Sequence, residues 1–252
     1  MTRQFFCAAN HKMSVTLSTL NSIIENLNKS DLDPQAEIVV ATPAIYLSEA
    51  KNKVKPQIQL SAQNVFSKET GAFTGEISPL QLKDFNINWT ITGHSERRHI
   101  FKEIDHEVAQ RTKGALSQNI NVIFCIGEKL DERESGKTKE VLYHQLNALK
   151  EEIGTDWSKI VIAYEPVWAI GTGKTATPEI AQEAHADCRQ WVKENLGQQA
   201  ADSIRIVYGG SVSGANSKDL AKQPDIDGFL VGGASLKPEF VDIINARRNL
   251  SN

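Results

Sequence analysis

The sequence predicts an α/β protein, specifically a (β/α)8 barrel in which eight parallel strands are surrounded by outer helices. Short apolar runs rich in Val, Ile and Phe recur eight times in the 252 residues, with helical patterns between them. Most runs do not alternate with polar residues, which is typical of strands buried on both faces of a parallel sheet. No proline- or serine-rich linker divides the chain, so we expect one barrel domain over residues 1–252.

The eight runs give the predicted strands, at residues 5–9, 38–41, 58–62, 89–92, 122–125, 160–164, 204–208 and 228–231. Eight strand–helix repeats in about 250 residues match the usual size of a closed barrel. A doubly wound open sheet is the alternative, because a strand count does not establish closure.

Two segments between the strands carry helical spacing. In the first, apolar side chains three or four residues apart form one face: Leu17, Leu20, Ile23, Ile24 and Leu27. In the second, the repeating positions are Ile180, Ala184, Cys188 and Trp191. The second helix is predicted to begin at residues 177–179, Thr-Pro-Glu. These supply a capping hydroxyl, a proline in the first turn and an acid near the positive end of the helix dipole.

Composition and charge exclude several classes of protein. With 40% hydrophobic and 23% charged residues, the chain is neither disordered nor fibrous in type. A net charge of −3 does not indicate the excess of basic residues that is typical of a nucleic-acid-binding protein. Three widely spaced cysteines, Cys7, Cys125 and Cys188, favour a reducing compartment. The N-terminal apolar run is too short for a signal peptide, and no run approaches the roughly 20 apolar residues of a membrane span. We therefore expect a cytoplasmic protein without membrane contact.

Polar residues follow the predicted strands, at the end of the barrel where active sites of this fold lie. In strand order they are Asn10, Lys12, Gln63, Asn64, His94, Glu96, Cys125, Glu128, Glu165, Ser211, Gly232 and Gly233. A carboxylate, an imidazole, a lysine and two small-residue loops are thus predicted to converge on one rim.

Glu165 lies in the stretch AYEPVWAIGTGKTATP, directly before Pro166, which holds its backbone extended. A glutamate at a strand end is most often a surface carboxylate. A general base there needs partial burial, which Trp168 and Ile170 would supply if the loop folds over it.

The glycine-rich segments do not match nucleotide-binding motifs. GTGKT lacks the Walker spacing because Trp168 stands where a glycine is required, and YGGSVSG has Ser211 in place of the second glycine of the dinucleotide pattern. Tight turns without a ligand are one interpretation. The alternative is a pair of oxyanion cradles, because Gly210-Ser211 and Gly232-Gly233 follow the last two strands, where many barrels bind phosphate.

His94 and Lys12 each have an ordinary and a chemical interpretation. His94 stands before a predicted helix, whose positive end disfavours imidazolium, so a neutral ring would donate a hydrogen bond to a carbonyl. The five-residue spacing to His99 does not favour a metal site. A lysine at the position of Lys12 is most often a surface residue. Directed into a cleft, it would balance a phosphate dianion and a developing enolate charge.

Six motifs together resemble the triosephosphate isomerase family over essentially the whole chain. They are AYEPVWAIGTGKTATP, ITGHSERR, AQNVFSKETGAFTGEIS, VIFCIGE, YGGSV and GFLVGGASL, in the family's order and spacing. The resemblance implies a TIM barrel and the interconversion of dihydroxyacetone phosphate and D-glyceraldehyde 3-phosphate in glycolysis and gluconeogenesis. It also implies a reaction without cofactor or metal.

The resemblance implies roles for individual residues. Glu165 would carry a proton between two carbons, neutral His94 would polarise the carbonyl, and Lys12 would stabilise the enediolate. Asn10 and Glu96 would support these side chains, and Asn10 and Lys12 would also contact substrate. The phosphate would be held by backbone N–H groups of Gly171, Ser211, Gly232 and Gly233. The lid, latched by Tyr208 and Ser211, would comprise Pro166, Val167, Trp168, Ala169, Ile170, Gly171, Thr172, Gly173, Lys174, Thr175 and Ala176.

A homodimer is also implied, in which the loop of residues 63–78, beginning at Gln63, inserts into the partner and brings Thr74 to its site. One segment departs from the family, which commonly reads GGNWKMN where this chain has AANHKMS, residues 8–14. Asn10 and Lys12 are retained. The substituted residues Ala8, Ala9, His11 and Ser14 are expected beside the dimer contact.

Three alternatives share some of these features. A metal-dependent epimerase of the same fold should show His and Asp ligands on several strands, which the sequence lacks. A Schiff-base aldolase should place a lysine where the sixth strand carries Glu165. A non-catalytic descendant has no reason to keep a base, an imidazole and a lysine on one rim.

Overall fold

The computed structural model describes residues 3–170 and 176–248. Its strands are β1 (Phe6–Asn10), β2 (Glu37–Ala41), β3 (Ile58–Ala62), β4 (Trp89–Thr92), β5 (Asn121–Ile126), β6 (Ile160–Tyr164), β7 (Arg205–Tyr208) and β8 (Gly228–Val231). Each pairs in parallel with its neighbours, and β8 pairs with β1, so the sheet closes. The closed barrel is confirmed and the open sheet is excluded. The predicted strands differ from the observed ones by at most one residue at either end.

Helices connect the strands on the outside of the barrel. Those in the described ranges are α1 (Leu17–Lys29), α2 (Leu47–Lys51), α3 (Pro79–Asp84), α4 (Ser95–His99), α5 (Asp105–Ser117), α6 (Leu130–Glu134), α7 (Thr138–Ile153), α8 (Pro178–Leu196), α9 (Gln198–Ser203), α10 (Ser217–Ala221) and α11 (Phe240–Ile244). Short 3-10 turns occupy Ala44–Tyr46, Val167–Ala169 and Gly233–Leu236. In the described part of the chain, every helix is too short or too polar to cross a bilayer.

The two predicted helices form as their patterns indicate. In α1, four of the five predicted apolar positions are buried, whereas Leu17 is exposed because it stands in the first turn. Helix α8 begins at Pro178, and the hydroxyl of Thr177 accepts the N–H of Ile180 at 3.3 Å. This cap occupies one of the N–H groups that the first turn of a helix leaves unpaired.

The buried side chains form two layers. An outer layer packs between strands and helices, and an inner layer fills the barrel. Within the inner layer, large rings stand at the strand N-termini, where Phe6 and Trp89 have centroids 5.0 Å apart. Small side chains such as Ala41, Cys125 and Ala163 stand near the strand C-termini. The taper leaves space at the end where the polar residues were predicted.

Candidate active site

Asn10 and Lys12 form a tight turn at the end of β1. Asn10 is the last residue of the strand and is 6% exposed. Its side-chain oxygen accepts the N–H of Lys12 at 3.0 Å, which fits the unusual positive φ of 49° at Lys12. The Lys12 ammonium then reaches Glu96 Oε1 at 2.7 Å. The amide of Asn10 therefore fixes the backbone from which Lys12 enters the site.

The turn after β4 places His94. Gly93 precedes it with a φ of +66°, a conformation that side chains disfavour, and a Cβ there would lie 2.6 Å from Val108. His94 then immediately precedes α4, and its Nδ1 lies 3.3 Å from the backbone nitrogen of Glu96. The imidazole is 6% exposed. Nδ1 is therefore occupied by a backbone contact at the rim.

Glu165 follows β6 and is 2% exposed. Its backbone N–H continues the pairing with β5 by donating to Ile126 at 2.7 Å. Its carboxylate faces two groups of the β4 turn, with Oε1 lying 2.9 Å from His94 Nε2 and Oε2 accepting the N–H of Ser95 at 2.8 Å. Glu165 is thus as buried as a general base at this position would need to be, and its carboxylate and the imidazole are in direct contact.

The charge of His94 depends on opposing influences. Burial lowers the pKa of the imidazole, and the carboxylates of Glu165 and Glu96 raise it by more, so its net shift is upward. A neutral ring fits the geometry when Nδ1 accepts the Glu96 N–H and Nε2 donates to Glu165. A doubly protonated ring would instead face Glu96 Oε2 from Nδ1 at 3.4 Å. The site accommodates both forms while Glu165 stays against His94.

The loops after β7 and β8 form the other wall of the same cavity, whose volume is about 370 Å³. Ser211 and Gly233 are exposed and Gly232 is half-buried. A Cβ at Gly232 would lie 3.3 Å from Lys12 Cε and 3.8 Å from its Nζ. The lysine therefore stands between the carboxylate–imidazole pair and the glycine-rich loops. The cavity brings together Asn10, Lys12, His94, Glu165, Ser211, Gly232 and Gly233.

The predicted lid is described over residues 166–170 and at Ala176, whereas Gly171, Thr172, Gly173, Lys174 and Thr175 lie outside the described residues. Its first turn is tied to Glu128, a fully buried carboxylate. Glu128 Oε1 accepts the indole N–H of Trp168 at 2.9 Å and the hydroxyl of Tyr164 at 3.0 Å. Ile170 lines the cavity, and Ala169 is buried.

Tyr208, predicted as a latch, ends β7 beneath this segment and is fully buried. Burial raises the pKa of its hydroxyl to about 12, and the nearby backbone of Ala176 acts in the opposite direction. Tyr208 therefore lies at the far end of the predicted lid. Ser211 lies three residues further along the chain, at the cavity wall.

The predicted dimer loop, residues 63–78, contains neither helix nor strand. Thr74 is exposed near its tip. Gln63 is turned inward, and its side-chain amide donates to the backbone carbonyl of Lys12 at 2.7 Å. Gln63 therefore contacts the lysine turn of its own chain. In the unusual segment, Ala8 and Ala9 are fully buried within β1. Ala8 lies inside the barrel and Ala9 packs between the strands and the helices, so neither side chain reaches the surface.

Three contributions to the site were not predicted from the sequence. Ser95 supplies its backbone N–H to Glu165, and Glu128 anchors the first turn of the predicted lid. Gly209 gives Glu165 space, because a Cβ there would lie 2.9 Å from Glu165 Cγ. Glu128 stood among the rim residues, and its position after β5 was the available signal. A backbone N–H does not depend on residue type, and a glycine in the sequence does not show which neighbour uses the space it leaves.

Other features of the described residues do not compete with this site. A cavity of about 1050 Å³ lies at the opposite end of the barrel, but two arginines that line it are already paired, because Arg3 Nε contacts Asp227 at 2.7 Å and Arg248 contacts Asp31 at 2.8 Å. Among residues 3–170 and 176–248, no three His, Cys, Asp or Glu side chains gather as ligands for a metal ion.

A buried carboxylate against an imidazole, with an ammonium beside glycine-rich loops, defines this chain as a parallel-barrel enzyme equipped for proton transfer. The family model described as triosephosphate isomerase matches residues 5–247. The chain belongs to the triosephosphate isomerase family.

Curated relatives agree with this assignment along their whole length. The triosephosphate isomerase of Paracoccidioides lutzii is 57% identical over 248 residues, covering 98% of this chain and 100% of that protein. That of Emericella nidulans is also 57% identical over 248 residues, with the same coverage. That of Neurospora crassa is 56% identical over 247 residues, covering 98% of this chain and 99% of the relative.

Proposed function

We propose that Glu165, His94 and Lys12 carry out the reaction of the family at the C-terminal rim of the barrel. The chain is an intramolecular aldose–ketose isomerase of glycolysis that interconverts dihydroxyacetone phosphate and D-glyceraldehyde 3-phosphate. The observation that supports these roles best is the 2.9 Å contact between Glu165 and His94, in one cavity with Lys12 and two glycine-rich loops.

The reaction moves one proton between adjacent carbons and another between their oxygens. Glu165 removes the carbon proton, and His94 donates a hydrogen bond to the carbonyl oxygen on which negative charge develops. Lys12 balances the charge of the resulting enediolate. Asn10 and Glu96 support Lys12 through the 3.0 Å and 2.7 Å contacts made by its backbone and its ammonium.

Substrate binding requires an exchange of partners. In the structure, Glu165 Oε1 contacts His94 Nε2, the group that must instead donate to the substrate carbonyl. Glu165 Oε2 accepts the backbone N–H of Ser95. We propose that the carboxylate turns from these contacts toward the substrate carbon, and that Gly209 leaves the space for that rotation.

The same movement favours neutral His94. The Glu165 charge is the main influence that raises the pKa of the imidazole. Moving that charge away, and then neutralising it with the substrate's carbon proton, removes the influence. Burial and the Lys12 ammonium, which both lower the pKa of His94, then favour the neutral donor in the step that forms the enediolate.

The phosphate is proposed to lie against the loops after β7 and β8. Backbone N–H groups of Ser211, Gly232 and Gly233 would bind its oxygens, joined by Gly171 from the lid. Lys12 adds a positive charge beside Gly232, so one cation serves both ends of the substrate. Residues 166–176 would close over the bound phosphate, latched by Tyr208 and Ser211, and exclude water from the enediolate.

The remaining predictions also stand as proposals. We propose one barrel domain, acting in the cytoplasm as part of glycolysis without nucleic acid or membrane partners. Two copies would form a homodimer in which the loop of residues 63–78 brings Thr74 to the partner's site.

The test is a coupled assay of glyceraldehyde 3-phosphate formation from dihydroxyacetone phosphate without added metal. Glu165→Gln should lower kcat by about 10²–10⁴-fold, because it removes a general base. The exposed Glu134 provides a matched control, and Glu134→Gln should retain full activity. A near-normal rate for Glu165→Gln would remove Glu165 from the mechanism, and an inactive unaltered protein would overturn the proposed function.

A further inference from the structure

The loop of residues 209–216, which joins β7 to α10, carries one of the proposed phosphate-binding N–H groups, that of Ser211. The loop contains no helix or strand, and Ser211 is exposed. A short loop of this kind is mobile unless side chains fix it. The question is what holds Ser211 in place before phosphate arrives.

Asn216 makes two hydrogen bonds back into this loop. Its side-chain oxygen accepts the N–H of Ser213 at 2.8 Å, and its side-chain nitrogen donates to the carbonyl of Ser211 at 3.1 Å. One planar amide therefore fixes two peptide groups of the loop at once, on both sides of Val212. Asn216 itself does not line the cavity.

The direction of these bonds argues against an ordinary capping role. Asn216 directly precedes α10, a position where an Asn side chain usually accepts an N–H from the first turn of the helix. Here Asn216 makes no side-chain capping bond to α10. The amide is used entirely on the loop that precedes it.

A second side chain holds the same loop from the other side. Glu239 Oε2 accepts the N–H of Gly214 at 3.0 Å, and Lys237 lies 3.6 Å from Glu239 Oε1. A carboxylate lining a phosphate-binding cavity is electrostatically unfavourable, so its presence is consistent with a structural task in the loop. The loop is therefore fixed at Ser211, Ser213 and Gly214.

We infer that Asn216 is a positioning residue for phosphate recognition: it orients Ser211 so that its N–H is directed at the phosphate, and Glu239 is the second anchor. The inference rests on the proposed function, because it assumes that Ser211 binds phosphate. Asn216 acts on the substrate only through the loop. Preorganisation of this kind strengthens binding by reducing the ordering cost.

The experiment compares Asn216→Ala and Asn216→Asp with a matched control. Asn28 bridges a loop in the same way at the opposite end of the barrel: it donates to the carbonyl of Lys53 at 2.7 Å and accepts the N–H of Lys55 at 2.9 Å. Asn28→Ala therefore removes an equivalent bridge far from the cavity. All variants are assayed for competitive inhibition by inorganic phosphate, for turnover of unphosphorylated D-glyceraldehyde, and for Tm.

Asn216→Ala should weaken phosphate inhibition and raise the KM for dihydroxyacetone phosphate by about tenfold, the size expected when a hydrogen bond to a charged group is impaired. Asn216→Asp should weaken phosphate inhibition and raise the KM at least as much, because a carboxylate oxygen then faces the Ser211 carbonyl. Turnover of D-glyceraldehyde should stay within about twofold, since it has no phosphate. Asn28→Ala should lower Tm with phosphate inhibition unchanged.

The outcomes separate the inference from the function on which it rests. If phosphate does not inhibit the unaltered protein competitively, the proposed phosphate site is wrong. If phosphate inhibits the unaltered protein and the Asn216 variants equally, the site stands and the positioning role is overturned. A loss of D-glyceraldehyde turnover as large as the loss of phosphate binding would also overturn it, because it would indicate a general disruption.

Discussion

His11 is a buried imidazole in the turn after β1, between Asn10 and Lys12. It is 1% exposed, and within the described ranges neither ring nitrogen has a hydrogen-bond partner. Burial lowers its pKa to about 4. His185, buried behind Tyr164 and Tyr208, has a pKa that burial lowers to about 4 as well. Both rings are neutral inside the fold at neutral pH.

These two imidazoles predict a loss of stability in mild acid. Between about pH 6.5 and pH 4 the unfolded chain binds protons that the folded chain does not, so the free energy of unfolding falls as pH falls. Each group contributes at most about 1.4 kcal/mol per pH unit. In His11→Phe, the difference in unfolding free energy between pH 7 and pH 5 should shrink by roughly 2 kcal/mol.

Urea denaturation at the two pH values measures this difference. His106 is exposed, so His106→Phe is the control and should leave the pH dependence as it is in the unaltered protein. An unchanged difference in His11→Phe would mean that the His11 ring gains a proton or a partner in solution.

At the scale of residues, the sequence identified which groups gather but not how they contact one another. Glu165, His94 and Lys12 could be selected because each follows a predicted strand, and parallel strands in a closed barrel bring their C-terminal ends together. The contact between Glu165 and Ser95 N–H depends on the path of a turn. The positive φ of Lys12 could not be predicted from the sequence either, because this conformation is uncommon for a lysine.

At the scale of elements, the segment after β6 begins with a fixed turn. Pro166 and the 3-10 turn Val167–Ala169 are held from below by Glu128. Arg133 lies over the Trp168 ring, with 5.0 Å to its centroid, and also approaches Glu128 at 3.5 Å. A fully buried carboxylate with several donors is a rigid anchor, since losing a donor exposes an uncompensated charge. The proposed lid therefore begins on a defined support.

Trp168→Phe tests whether this support controls the lid. The variant keeps a ring beneath Arg133 and removes the N–H that Glu128 accepts. We expect kcat to change severalfold and a larger share of the enediolate to eliminate inorganic phosphate, because a lid that closes less well excludes solvent less well and releases the intermediate. Kinetic assays together with detection of released inorganic phosphate measure both effects.

Tyr164→Phe is the matched control, because it removes a donor to the same oxygen of Glu128 from a strand rather than from the lid. It should lower stability without increasing phosphate release. Equal release from the two variants would assign the effect to Glu128 itself and not to the lid.

The elements were more predictable than their ends. Non-alternating apolar runs located all eight strands, because both faces of a closed parallel sheet are buried. Asn10 was expected just after β1 but is its last residue, since backbone pairing with β2 extends to Ala41 regardless of side-chain polarity. Leu17 fits the apolar face of α1 by spacing and is nonetheless exposed. A helix face is buried only where a neighbour covers it.

At the scale of the whole molecule, one side of the rim exposes large apolar side chains. Met13 is 97% exposed and Ile45 is 81% exposed, and they follow β1 and β2. Ile100 and Phe101, after β4, are also exposed. Because β1 to β4 are consecutive neighbours in the barrel, these residues flank the loop of residues 63–78. Several large apolar side chains exposed on one side of the rim favour a protein partner, and the proposed partner is a second copy of the chain.

Ile45→Arg tests the homodimer. The side chain is almost fully exposed, so a charge there costs the isolated chain little, whereas burying it unpaired in a dimer interface costs several kcal/mol. Sedimentation over a concentration range should show the unaltered protein as a dimer and the variant as a monomer or a much weaker dimer. Gln190→Arg adds the same charge at an exposed position on α8, away from β1 to β4, and should stay dimeric.

If Thr74 completes the partner's site, the kcat of Ile45→Arg should also rise with protein concentration as dimers re-form. Dimerisation of Ile45→Arg equal to that of the unaltered protein would place the interface elsewhere.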